Sequence, residues 1–451
     1  MKEILKNVIY SYRLRSGVAE GRLVMNTKCL LWIACLLSGF SLPSLSFGNG
    51  FATDEQSAKA TGMGAAFVAQ SDDPSAVFHN PAGIVQLEGF QVSAGFSSLM
   101  PRITFQSSTE DPVLNATIGG RTDLRKHAFW VPNVYATYKI NEYWSVGFGA
   151  FSNFGLSTDW PDDWPGRFSL GGTDAYLGTL SLNPVVAFRP VDWLSLSAGA
   201  VVQSLEIDLK NKISLFPLDT AEPEQTFRGE TRAGGWNAGL LFWASDQIKF
   251  GMSYRSRIGH SIADGLFTTR GIPELLGGDV STGANGSLEL PAILSLGISL
   301  APSLLTLEFD AKWTEWSRYQ KLEINLDTGD TISYRKDWSN VWAYHVGAQY
   351  ALKEFLDLRA GYIYDLTPLR VDTLDALLPS GNRWFLTAGL GIRHERWTVD
   401  AAYKYMDAEN RSWNNESGDY DTLMASPSGR ITGEFQDGHA HILSLNLSCH
   451  F

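Results

Sequence analysis

Eight histidines, three cysteines and 48 carboxylates supply this chain with material for catalysis, but their spacing does not assemble it. A serine hydrolase needs a Ser–His pair with an orienting group, and the histidines are scattered with no Gly-x-Ser-x-Gly elbow. No metal-binding His cluster occurs either, so the chain reads as no enzyme and no cofactor is expected. The charges that do recur at fixed spacing follow a period of two. Glu308, Asp310 and Lys312 alternate with Leu307, Phe309, Ala311 and Trp313; Asp400 and Lys404 alternate with Val399, Ala401, Tyr403 and Tyr405. Lys249 and Arg255 share one face of Ile248–Arg255, opposite Phe250, Met252 and Tyr254. Successive side chains of a strand point to opposite faces, so these charges line one surface and the apolar residues the other. That is the chemistry of a wet interior, not of a reaction.

The elements that carry these charges are strands through most of the chain, ending in Leu443–Phe451 with its strict alternation and terminal aromatic. About a dozen such strands exceed what one soluble core accommodates. Very short turns fall at Asn141-Glu142, Pro190–Asp192, Ala244–Gln247, Ala301–Ser303, Lys353-Glu354 and His394-Glu395. Long polar stretches lie between them, near 106–126, 157–178, 210–231, 260–288, 324–337, 367–382 and 408–438. Long and short connections alternate, which gives about fourteen strands with both chain ends on the short-turn side. The expected fold is all-β: a transmembrane antiparallel β-barrel of the outer-membrane kind, with short periplasmic turns and long external loops. Both termini are then periplasmic, and Tyr143, Trp144, Trp193, Phe355 and Trp397 fit an interfacial girdle.

Leu30–Phe40 is the longest apolar run and is too short to cross a bilayer as a helix. With Lys28 before it and small residues after it, residues 1–46 read as a secretory signal, and 1–24 as an over-extended start or a long basic n-region. Residues 1–46 hold six basic and two acidic residues, so their removal takes the net charge from -12 to -16. Such an acidic exported chain is a poor candidate for nucleic-acid binding. Cys449 would remain alone and unable to form an intramolecular disulfide. A monomer is the simplest expectation.

Residues 47–88 do not alternate. They carry a small-residue stretch with Gly62 and Gly64, the Asp72-Asp73 pair, and the turn signal Asn80-Pro81-Ala82. A compact segment of that kind suits the inside of a lumen, as a hatch preceding a barrel over 89–451. Here the chain resembles the FadL-type outer-membrane transporters of long-chain fatty acids and other hydrophobic compounds. The resemblance rests on Gly50–Gly83 with Glu55, on Trp164-Pro165-Gly166-Arg167-Phe168 and on Trp313-Thr314-Glu315-Trp316-Ser317. It continues through Arg359–Pro368, Leu378-Pro379 and Arg383-Trp384.

The resemblance implies a fourteen-stranded barrel closed by an N-terminal hatch. It implies passive uptake of hydrophobic compounds, long-chain fatty acids foremost, across a leaflet of outer-membrane lipid and lipopolysaccharide. For the fatty-acid carboxylate it points to Lys210 and Arg335, which read equally well as solvated loop charges; Arg335 has lumen parity with its strand and Lys210 does not unless a bulge intervenes. Apolar lumen-parity residues, among them Val201, Leu205, Ile207, Leu209, Ile363 and Phe385, suit an acyl groove or packing against the hatch. Phe51 lies beside the expected pocket. Lateral release would use a strand kink in Gly147–Gly155, best matched at Gly155, which also reads as an ordinary flexible glycine. The alternatives are an aromatic-hydrocarbon channel of the same family and a general diffusion porin.

Overall fold

The computed structural model describes residues 50–108, 110–111, 116–117, 120–215, 218–414 and 432–451. The signal segment expected at 1–46 lies outside the described residues. Fourteen antiparallel staves follow one another in chain order. They are β1 (Phe90–Ser107), β2 (Arg121–Asp123 with Phe129–Lys139), β3 (Trp144–Phe151 with Gly155–Asp159), β4 (Asp174–Val191) and β5 (Leu194–Lys212). Next come β6 (Glu224–Ser245), β7 (Ile248–Arg255 with Ile258–Arg270), β8 (Val280–Leu290 with Ile293–Leu300) and β9 (Leu305–Thr314 with Lys321–Leu326). The last are β10 (Thr331–Arg335 with Val341–Lys353), β11 (Leu356–Asp365), β12 (Arg383–His394), β13 (Trp397–Ala408 with Arg411–Asn414) and β14 (Thr432–His450). β14 pairs with β1 from Gln91↔His450 to Ser107↔Gly433, so the sheet closes on itself.

At the short-turn end the polarity is that of a barrel in lipid. Leu196, Val202, Phe250, Phe309 and Leu445 face outward and are exposed, while Ser195, Glu308, Asp310, Asp400 and Asn446 face inward and are buried. At the long-loop end the same strands invert. On β5 the inward residues become Leu205, Ile207 and Leu209, all buried, and Glu206 and Asp208 turn outward. The β5–β6 register runs from Glu224↔Lys212 to Phe242↔Leu194 without a shift, so this is a change of sequence on an unbroken strand.

That inversion explains why the long connections are shorter than the sequence suggested. Much of the stretch expected as loop at 260–288 is a hairpin, Ile258–Arg270 paired with Val280–Leu290. Likewise Lys321–Asn325 pairs with Thr331–Arg335, a hairpin that takes up much of 324–337. Above the hydrocarbon a strand no longer needs an apolar outer face, so a polar reading of its sequence mistakes it for loop.

Candidate functional site: a hatched lumen beneath an apolar interior

The non-strand segment from Gly50 to Glu88 makes its bonds to inward-facing residues of the barrel. Its first helix, Ala58–Gly62, is capped by the Ser57 side chain, which accepts from Ala60 N at 3.1 Å. The Asn446 side chain accepts from Ala58 N at 2.8 Å. Gly62 runs against Gly389, where a Cβ on Gly62 would lie 3.0 Å from the Gly389 Cα. Gly64, at φ +63°, donates its N–H to Thr387 at 3.0 Å. Both hatch glycines expected from sequence are therefore positions where backbone meets backbone.

The wall charges seat the hatch. Phe67 and Val68 donate their backbone N–H groups to Asp310 Oδ2 at 2.7 and 3.0 Å. Ala69 and Gln70 donate theirs to the two oxygens of Glu308 at 2.6 and 2.8 Å. Two carboxylates spaced i, i+2 on one strand thus take four consecutive amides of a turn that has no ladder partner. Asp54 pairs with Lys312, and Glu55 with Lys404 at 2.7 Å. Burial pushes the Asp54 carboxyl up, but Lys312, with His345 and Lys404 behind it, more than reverses this and holds it well below the usual carboxylate range.

The Asn80-Pro81-Ala82 turn has a defined task. Asn80 Nδ2 donates to Val68 O at 2.8 Å and to Leu240 O on β6 at 2.9 Å, while its Oδ1 accepts from Ala82 N at 3.2 Å. Pro81 opens the 3-10 helix Pro81–Gln86, and Ala82 O accepts from Ser195 Oγ at 2.9 Å. This turn joins the second half of the hatch to β5 and β6.

Above the hatch the interior is apolar. Phe51 is 3 % exposed and packs edge-on against Trp316 at 4.7 Å, with Phe154, Tyr319 and Trp338 within 6.1 Å. Leu205 and Ile207 belong to the same cluster, which continues to Trp160, Trp164 and Trp413. Phe385 faces inward but sits in a separate small cluster with Ile363, Met406 and Ala440, its ring 4.2 Å beneath the Lys404 ammonium.

The third stave is interrupted. Pairing of β2 with β3 stops at Asn133↔Phe151, while β4 pairs Ser181 with Phe151 and then Gly178 with Gly155. β3 therefore carries one extra residue here, a bulge, and Phe129–Pro132 of β2 have no ladder partner in β3. The hatch N-terminus fills the break from within. Gly155 N donates to Phe51 O at 2.8 Å, Thr53 N donates to Asn153 O at 3.0 Å, and Ala52 bridges to Phe154. Gly155 thus marks the far edge of the break, which itself spans Ser152, Asn153 and Phe154.

The two basic residues expected at a head group both lie on the outer face. Lys210 is on the outward parity of β5, with no bulge to turn it, and pairs with Asp174 at 3.5 Å. Arg335 is also outward, paired with Asp337 at 2.5 Å, while Ile332 and Tyr334 of the same segment pack inward. The irregular stretch Lys336–Asn340 resets the alternation between the two halves of β10, which is why lumen parity read from Val341 onward fails at Arg335. The next residue, Lys336, is a buried cation: 2 % exposed, paired with Asp375 and beside Tyr334 at 6.0 Å. Neither Lys336 nor the Glu308–Asp310 grip stood out in sequence. For the carboxylates the signal was there in their inward parity; for Lys336 it was hidden by the break in alternation.

Residues 40–451 match the family described as outer membrane protein transport protein (OMPP1/FadL/TodX). The long-chain fatty acid transport protein of Escherichia coli O6:H1 is 26% identical, over 85% of this chain and 91% of that protein. Outer membrane protein P1 of Haemophilus influenzae is 26% identical, over 92% and 98%. Among solved structures, a Pseudomonas aeruginosa FadL homologue superposes with a TM-score of 0.75, covering 89% of this chain and 100% of that one at 22% identity. The Pseudomonas putida toluene transporter TodX gives 0.64, covering 90% and 99% at 14% identity. With the closed fourteen-stranded barrel and a family match spanning nearly the whole chain, this protein is a member of the OMPP1/FadL/TodX family of hydrophobic-compound transporters of the Gram-negative outer membrane.

Proposed function

We propose that this transporter takes up long-chain fatty acids passively, by external capture, binding in the apolar interior and lateral release into the membrane through the break in β3. One observation carries the reading: an apolar interior around Phe51, Leu205, Ile207 and Trp316 reaches an interrupted stave while the hatch fills the lumen below. Each methylene removed from water contributes roughly 0.8 kcal/mol, so an acyl chain needs no other driving force to enter such a surface. The hatch N-terminus at Ala52–Thr53 covers the break through its bonds to β3, and its displacement would join the interior to the bilayer. A general porin fits poorly, because glycines and carboxylates of the wall are matched to a seated hatch. An aromatic hydrocarbon is the second reading, favoured by the aromatic lining and by Lys336 being already neutralised by Asp375. Family members are transport channels, and no catalytic role is proposed.

Uptake of labelled oleate and labelled toluene by cells carrying the protein separates the two. Oleate accumulation above the empty-vector level is the expected result. Accumulation of toluene alone assigns the second reading, and steady ion conductance in planar bilayers with uptake of neither removes both.

A further inference from the structure

The segment Thr367–Ser380, between β11 and β12, folds over the apolar interior. Leu374, Ala376, Leu377 and Leu378 are buried there, and Asp375 among them pairs with Lys336. Its other oxygen, Oδ1, accepts from Leu377 N at 3.0 Å. Near its start Pro368 O accepts from Ser339 N at 3.1 Å. Side chains hold the segment farther on. Thr373 Oγ1 donates to Lys336 O at 2.6 Å, Trp160 Nε1 to Ala376 O at 3.4 Å, and Arg411 Nη2 to Leu369 O at 2.8 Å. One carboxylate flanked by aliphatic side chains is also the chemistry of a fatty acid.

We propose that Asp375 is a resident substitute for the cargo's head group, and that a carboxylate-bearing amphiphile exchanges with it on Lys336 and frees this segment from the mouth. The proposal rests on the uptake reading above and names its substrate class. Lys336 is 2 % exposed on its side chain and Asp375 10 %. Removing one partner from a buried ion pair leaves an uncompensated charge, which costs several kcal/mol, so the pair opens only where another anion takes over. A neutral hydrocarbon offers no such exchange. Carboxylate cargo carries its own replacement charge, with the acyl chain replacing Leu374, Leu377 and Leu378 against Trp160 and the neighbouring aromatics. Asp375 moves out to water, where an ionised carboxylate is stable.

The test uses the full chain in lipid nanodiscs, with binding of labelled oleate and labelled oleyl alcohol. Asp375→Asn is expected to bind oleate about tenfold tighter, the scale of one charge-assisted bond freed from competition, with oleyl alcohol unchanged. Lys336→Met is expected to bind acid and alcohol equally. A fluorophore on Val371→Cys, at an exposed position of the segment, should shift with oleate and stay still with the alcohol. Because Asp375→Asn removes the carboxylate paired with a buried ammonium and endangers folding, the double variant Lys336→Met/Asp375→Leu removes both charges; it should lose all preference for the acid. Equal oleate affinity in wild type and Asp375→Asn overturns the exchange, as does a preference for acid that survives in the double variant. If those occur while both ligands bind, uptake of hydrophobic compounds stands without it. Binding of neither ligand by the wild type overturns both.

Discussion

The two ends of β5 differ in everything but backbone. At the short-turn end Ser195 and Ser197 face in and Leu196 faces out; at the long-loop end Leu205, Ile207 and Leu209 face in, and Glu206 and Asp208 out. β9 repeats this, with Glu308, Asp310 and Lys312 inward below and Leu322 and Ile324 inward above. Two solvents act on one strand. Below, hydrocarbon outside forces apolar side chains outward, and the enclosed space is filled by a hatch whose amides need acceptors. Above, water outside makes the staves behave as an ordinary half-buried sheet around an apolar core. The lower lumen is therefore a polar seat for protein, and the upper interior is the part chemically suited to cargo.

The sharpest way to break this contrast is to remove the lower seat. Glu308→Ala with Asp310→Ala deprives four amides of acceptors, each such bond to a charged group being worth about 1.5–3 kcal/mol. The hatch should lose its place, giving steady conductance in planar bilayers from a barrel that still resists unfolding on cold gels. A closed channel would place the support elsewhere. Above, Ile207→Asp puts an unpaired carboxylate into the apolar core and should cost roughly 3 kcal/mol or more in urea unfolding. Its neighbour Glu206→Ala, on the outer face, should stay within about 0.5 kcal/mol. Equal effects at 206 and 207 would contradict the assigned parity.

Acid should weaken the lower seat selectively. Burial pushes the His79 imidazole down to about 3, helped by Lys312, Arg255 and His345 and opposed by Asp54. With a folded value below the unfolded 6.5, the native state binds fewer protons in that window, so stability present above pH 6.5 is lost as pH falls toward 3. Amide exchange in residues 65–87 should speed up over that range in the wild type and less in His79→Asn; identical profiles would exclude His79 as the source. The smallest effect is expected at the rim. Lys210→Ala and Arg335→Ala break solvent-accessible pairs worth about 0–1 kcal/mol, and oleate uptake should stay within about twofold. A large loss of uptake in either would return the head-group role to that residue.

The period-two pattern with its alternating short and long connections was enough to give the strand number and the closed barrel, because hydrocarbon imposes the same rule on every stave. The segment before Phe90 was legible by its failure to alternate, and Asn80-Pro81 by its turn chemistry. Leu205 and Ile207 were legible as inward and apolar because parity and residue type agree there, whereas Phe51, outside any alternating strand, was placed beside the interior only by the family resemblance. Lys336 was missed because Lys336–Asn340 interrupts the alternation, so parity counted from one half of β10 does not carry into the other. The partners of Glu308 and Asp310 lie some 240 residues away, at Phe67–Gln70, and no local pattern points to backbone amides.

Sequence by itself determined which solvent each strand face must meet, since that depends only on side-chain type and the two-residue period. Tertiary structure decided what the enclosed faces hold: Glu308 and Asp310 on the hatch amides, Phe51 against Trp316, and Lys336 on Asp375. Those matches depend on where closure of the barrel brings distant segments, and a polar or apolar side chain carries no mark of the partner it will find across a lumen.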